Sequence, residues 1–241
     1  MRMALKLFIP ALLALGTGAT HAGDFATLNT IGFSADGKVF AFEQFGTRDG
    51  SGFPFSEIFF LDLGRDVFVR PSPVKVTVED DAATVATARS RAKTRAATLF
   101  TRFSPNEHPG LVVADNPPTE LSADRLRVTF LPRAIEPSPD RPVELRLREI
   151  PQPASAACTA IPDAGRVGYR LSRIRNGTTV VLHEDRSVPA SRNCPISYAI
   201  SRVVVHENAN GGLQGVALIA VKSFGFEGPD LRYIATPVPL D

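Results

Sequence analysis

The chain has 241 residues, with 27 basic and 25 acidic side chains, two Cys and no Trp. That length allows one ordinary domain or two small ones. The near-neutral balance gives no support for nucleic acid or another polyanion as partner.

The N-terminus reads as a secretory signal. Arg2 and Lys6 form a basic start, Leu7 to Leu15 a short apolar run, and Thr20-His21-Ala22 a small-residue cleavage site. The run is too short to span a bilayer, which takes about 20 apolar residues. Cleavage after Ala22 would deliver residues 23–241 to the periplasm or the exterior, with no later transmembrane segment. Cleavage removes Arg2 and Lys6 and no acid, so residues 23–241 carry 25 bases and 25 acids.

Residues 24–70 read as a β-meander. Thr27–Phe33 and Lys38–Phe45 flank the turn Ser34-Ala35-Asp36-Gly37, and Ser56–Leu63 and Val67–Val69 flank Gly64-Arg65-Asp66. Residues 81–103 read as one amphipathic helix. Asp80 and Asp81 sit at its start, and Val85, Ala88, Ala92, Ala96, Leu99 and Phe103 recur at helical spacing. Its arginines suit either a membrane-facing helix or, more simply, a surface helix laid on the sheet by its alanines. Residues 105–125 are loop-like, with Pro105, Pro109, Pro117 and Pro118. Strands follow at Leu126–Leu131 and Val143–Ile150, then a Pro/Ala linker over 151–165. Val167–Arg175 and Thr178–Glu184 flank Asn176-Gly177, a strong hairpin signal. Tyr198–His206 and Leu213–Phe224 flank Asn210-Gly211-Gly212. The fold class is therefore mainly β: antiparallel blade-like or meander sheets with one helix. It makes one domain over 23–241, divisible into sub-units 23–79 and 125–238 joined by helix and loop 80–124.

Cys158 and Cys194 are an even pair in an exported chain and read as a disulfide. Their spacing argues against a C-x-x-C redox site. Closing that loop is worth about 3–4 kcal/mol by chain-entropy arithmetic.

The chemistry-bearing motifs are sparse. His108, His183 and His206 form no metal-ligand pattern, and His183 and His206 read as strand-end surface residues. There is no G-x-S-x-G elbow, phosphate loop or dinucleotide fingerprint, so no catalytic residue, metal or cofactor is assigned. The Gly-rich loop over 46–55 is the most suggestive site. Glu43, Arg48, Asp49, Phe53, Phe55 and Glu57 are the candidate binding residues, with flexible glycine beside aromatic side chains. The same carboxylates would serve a hydrolase of envelope saccharide or peptide, if two acids stood at the required separation. The leading expectation is a non-enzymatic binding or interaction module whose partner is another envelope protein.

Two resemblances add to this. Gly32-Phe33-Ser34-Ala35-Asp36-Gly37-Lys38-Val39-Phe40-Ala41-Phe42, followed by Ile58 to Leu63, resembles the repeat of TolB-type β-propellers, which implies a blade. Only one clear copy is present. The whole chain resembles a family of predicted secreted bacterial proteins catalogued as a domain of unknown function (number 2259). Three segments carry that resemblance: Phe42–Gly46 through Phe55–Ile58, then Ser191-Arg192-Asn193-Cys194-Pro195, then Gly225 to Asp230. It implies export and supplies no catalytic residues.

Overall fold

The computed structural model describes residues 23–161, 165–225 and 227–240. The expected signal, residues 1–22, lies outside them, as does Phe226. Three antiparallel sheets stack face to face, and two helices cover one end of the stack.

The first sheet contains β1 (Thr27–Phe33), β2 (Val39–Thr47), β3 (Pro54–Asp62), β4 (Val67–Phe68) and β5 (Val74–Thr77). Its order is β1-β2-β3-β4, with β5 also paired to β3. The turn into β2 is held as its residues suggest. Ser34 Oγ donates to Asp36 Oδ1 (2.7 Å) and accepts the Val39 N–H (3.0 Å). Both faces of β2 and β3 are buried, so each reads as a nearly continuous apolar run. Phe40, Phe42, Phe55 and Phe59 point to one side, while Ala41, Ile58 and Phe60 point to the other.

The second side meets the helices α1 (Val85–Arg95) and α2 (Ala97–Phe103). The expected alanine stripe is present, with Ala88, Ala92, Ala96 and Leu99 buried on the sheet. Two details differ from the sequence reading. Thr84, not Asp80 or Asp81, caps the first helix, its Oγ1 accepting the Thr87 N–H. The single helix is also broken at Ala96, whose N–H still bonds to Ala92. Past the break, Phe100 and Phe103 lie against Phe60, with ring centroids 5.4 and 6.0 Å apart.

The central sheet has the order β13-β12-β11-β6, from β6 (Leu111–Asp115), β11 (Pro195–Glu207), β12 (Leu213–Ser223) and β13 (Asp230–Pro239). In β12, Val216, Leu218 and Ala220 pack on the first sheet, while Ala217, Ile219 and Val221 pack on the outer sheet. A register shift between Ile200 and Arg202 switches the parity of β11, so Tyr198 and Ile200 before it face the same side as Val203 and Val205 after it.

The outer sheet has the order β10-β9-β8-β7, from β7 (Arg127–Phe130), β8 (Val143–Pro151), β9 (Val167–Arg175) and β10 (Thr178–Glu184). Its inner face supplies Val128, Phe130, Leu145, Leu147, Tyr169 and Leu171 to the core. Cys158 and Cys194 form the disulfide.

The mainly-β class holds, but the blade reading does not. The Asp-Gly turn builds an ordinary hairpin between β1 and β2, and the sheets stack as layers instead of radiating around an axis. Among the described residues no propeller forms. Three strands emerge where no strand was expected: β5, β6 and β13. The last holds Pro237 and Pro239, which a central strand would not tolerate; it lies at the edge of its sheet, where proline is allowed.

Candidate ligand cleft

The strand β2 leaves the sheet at Thr47, and residues 48–53 make the hairpin loop before β3. Arg48 closes it, its N–H donating to the Phe53 carbonyl (2.8 Å). The loop is shorter than the 46–55 stretch, because Gly46 and Thr47 remain paired with Phe55 and Pro54. Gly46 leaves room for the ring opposite: a Cβ there would sit 3.3 Å from Phe55 Cε1 and from the Phe25 carbonyl oxygen.

Phe55 is fully buried, a core residue and not an exposed contact. Its ring carries two cations, with the Arg48 guanidinium 4.1 Å and that of Arg232 4.6 Å from the centroid. Arg48 also reaches Asp24 (3.4 Å) and Glu57 (3.3 Å), and Arg232 pairs with the same Asp24. Glu57 further takes the Gln44 amide (2.8 Å) and lies 3.6 Å from the Lys75 ammonium. Gln44 in turn accepts the Tyr233 N–H (2.7 Å), which ties the first sheet to the central one.

Glu43 and Glu57 do not face each other. In the β2–β3 register Gln44 stands opposite Glu57 and Glu43 opposite Ile58, so the two carboxylates lie on opposite faces of the sheet. Glu43 is fully buried on the helix side, gripped by Arg89 at 2.9 and 2.8 Å, with Ser56 donating at 3.0 Å. Burial alone would raise its pKa; Arg89 and Ser56 bring it below the usual carboxylate range. It is a latch between helix and sheet. These two acids therefore lack the arrangement of a glycosidase pair. Asp49 is half-buried and Phe53 partly exposed, both on the hairpin loop.

A third wall comes from the loop after β10. The turn Ala190–Arg192 precedes Asn193, which has φ 54° and leads into the disulfide at Cys194. Arg192 is almost buried. It pairs with Asp185, reaches the Tyr198 hydroxyl (3.3 Å) and lies 5.0 Å from the Tyr169 ring centre. Asp185 also accepts the Tyr169 N–H and bonds to His183 Nε2, each at 2.9 Å. Burial opposes ionisation of Asp185, and His183, Arg192 and the backbone bring its pKa below the ordinary value.

Together these parts enclose a cleft of about 380 Å³. Arg48, Lys75, Arg192 and Arg232 converge on it, with Glu57 and Asp230 among them and Phe59, Phe68 and Tyr233 as aromatic wall. That volume lies in the range of small-ligand sites, about 300–1,000 Å³. Two of the sequence candidates, Arg48 and Glu57, line it. Lys75, Arg192 and Arg232 were missed because they come from segments far apart in the chain; of the three, only Arg192 carried a signal, within the Ser191–Pro195 segment beside Cys194.

The histidines also depart from expectation. His206 is not on the surface: it is 8% exposed, stacks on Phe33 at 5.1 Å and leaves Nε2 without a partner. His183 stacks on Tyr169 at 4.5 Å. Among the described residues no group of three or more His, Cys, Asp or Glu is placed to hold a metal ion, and no helix is long and apolar enough to cross a membrane.

Fold and site thus define a mainly-β, disulfide-bonded chain of three stacked sheets with a charged, aromatic-walled cleft. A family model described as predicted secreted protein (DUF2259) matches residues 41–239, and the chain belongs to that family. No curated protein and no solved structure matches it.

Proposed function

We propose that the protein is a non-enzymatic binding module of the periplasm or the cell exterior, whose ligand seats in this cleft. One observation carries the reading. The three segments on which the family resemblance rests, far apart in sequence, all contribute to one cleft: Gln44 and Glu57 from the first, Ser191, Arg192 and Asn193 from the second, Asp230 from the third.

The chemistry favours a small acidic compound, or the acidic end of a chain, with a flat apolar part. Each arginine keeps donors to spare: Arg192 spends only Nη1 on Asp185 and Tyr198, out of five N–H groups. Lys75 is the most exposed of the four cations and is held only by one 3.6 Å contact. The carboxylates pre-position the cations, which lowers the ordering cost of binding. Signal cleavage after Ala22 and an envelope partner belong to the same proposal.

Thermal-shift titration with a panel of dicarboxylates, sugar acids and phosphorylated sugars tests it. The expected result is a Tm rise with at least one compound that Lys75→Ala weakens tenfold or more. A panel that leaves Tm unmoved, or a rise that Lys75→Ala leaves intact, would count against the cleft.

A further inference from the structure

The layer stack is capped at one end only. Helices cover the far side of the first sheet, whereas among the described residues no helix or strand covers the far side of the outer sheet. Arg127, Arg146, Arg148, Thr129, Thr179, Val181 and Glu184 are all exposed on it. The cross-strand register there is unusual. Arg127 stands directly opposite Arg146, and Arg148 directly opposite Arg170. Like charges directly opposite each other destabilise a sheet, so these rows work against the fold when nothing covers them.

The local acids compensate only in part. Glu144 holds Arg146 (2.6 Å), Glu184 holds Arg170 (2.8 Å), and Asp124 lies 3.7 Å from Arg127. Arg148 has no ion pair among the described residues. Exposed pairs of this kind exchange readily with other anions. The balanced net charge hides this region. On the face itself the strands bring Arg127, Arg146, Arg148 and Arg170 together with Glu144 and Glu184, four cations to two acids, so the excess there is positive.

We infer that the outer face of the β7–β10 sheet is a docking surface for the phosphate groups of an anionic lipid bilayer. The fit is one of chemistry and shape. Four strands about 4.8 Å apart give a broad open face, not a groove. Arginine presents a planar fork that grips phosphate in a bidentate manner. Ile174 and Val181 lie among the arginines on the same face and suit the apolar margin of a headgroup layer. The surface is separate from the cleft and does not depend on it.

Vesicle co-sedimentation at low salt tests the inference, using vesicles rich in phosphatidylglycerol against pure phosphatidylcholine. The wild type is expected to sediment only with the anionic vesicles and to be released at about 1 M salt, where screening acts within about 3 Å. Each arginine near an anionic surface is worth about 1 kcal/mol, or about fivefold in partitioning. Arg148→Gln/Arg170→Gln should therefore bind about 25-fold more weakly, with Tm close to that of the wild type, because losing the Arg148–Arg170 opposition offsets losing the exposed Arg170–Glu184 pair. Lys75→Ala should sediment as the wild type does. No sedimentation of the wild type, equal sedimentation of the double variant, or retention on an acidic polysaccharide resin without vesicle binding would each overturn it.

Discussion

Arg89→Ala separates the latch reading of Glu43 from the catalytic one. The Glu43 carboxylate is fully buried, and Arg89 supplies two of its hydrogen bonds at 2.9 and 2.8 Å. Removing one partner of a buried pair costs about 3–5 kcal/mol. The arginine side chain is 30% exposed, which reduces the figure to about 2–3 kcal/mol. For a domain of this size that lowers Tm by about 5–10 °C. The loss should also depend on pH. With Arg89 present, the lowered Glu43 pKa adds stability above the unfolded value near 4.5, lost as pH falls through the folded value. Without Arg89, burial dominates and raises the pKa, so Glu43 takes up a proton on folding in mild acid. The penalty is then largest near pH 7 and shrinks towards pH 4. Urea unfolding of both proteins across that range measures it. A cost below about 0.5 kcal/mol at neutral pH, or one independent of pH, would refute the latch.

Three further outcomes follow from the packing. Cys158→Ser/Cys194→Ser should lose about 3–4 kcal/mol in urea unfolding, and reduction of the wild type should lose as much. Phe55→Ala should cost about 3–5 kcal/mol and also weaken any cleft ligand, because Arg48 and Arg232 both rest on that ring. His206 should make the protein acid-sensitive ahead of its carboxylates. Burial, with the facing His108 adding to it against Ala35 and Asp36, holds its pKa below 6.5. The unfolded chain then binds the proton first, so stability falls as pH drops below about 6.5 and stops falling once the folded pKa is passed. His206→Phe should flatten the stability curve in that window in thermal melts.

The parts of the fold that were legible share one property: the local pattern and the tertiary environment agree. The apolar runs of β2, β3 and β12 are doubly buried strands, and Asn176-Gly177 turns the β9–β10 hairpin. β13 was hidden by its prolines, tolerated only because the strand is at an edge. β6 was hidden because Pro109, Gly110, Pro117 and Pro118 surround a run of five residues. The helix break at Ala96 has no local signal; past it, Phe100 and Phe103 pack on Phe60. The candidate site was half legible. Arg48 and Glu57 line the cleft, but a β-strand's alternation puts Glu43 on the other face, and Phe55 is buried. Arg192 and Arg232 could be placed there only by knowing which sheets stack.

The most direct test of the account is an amide NMR titration of residues 23–241 with the compound that gives the largest thermal shift. Binding in the cleft predicts shifts concentrated at Gln44, Arg48, Lys75, Asn193 and Tyr233, with the β7–β10 sheet silent. Shifts scattered over the surface, or confined to residues away from these, would contradict it.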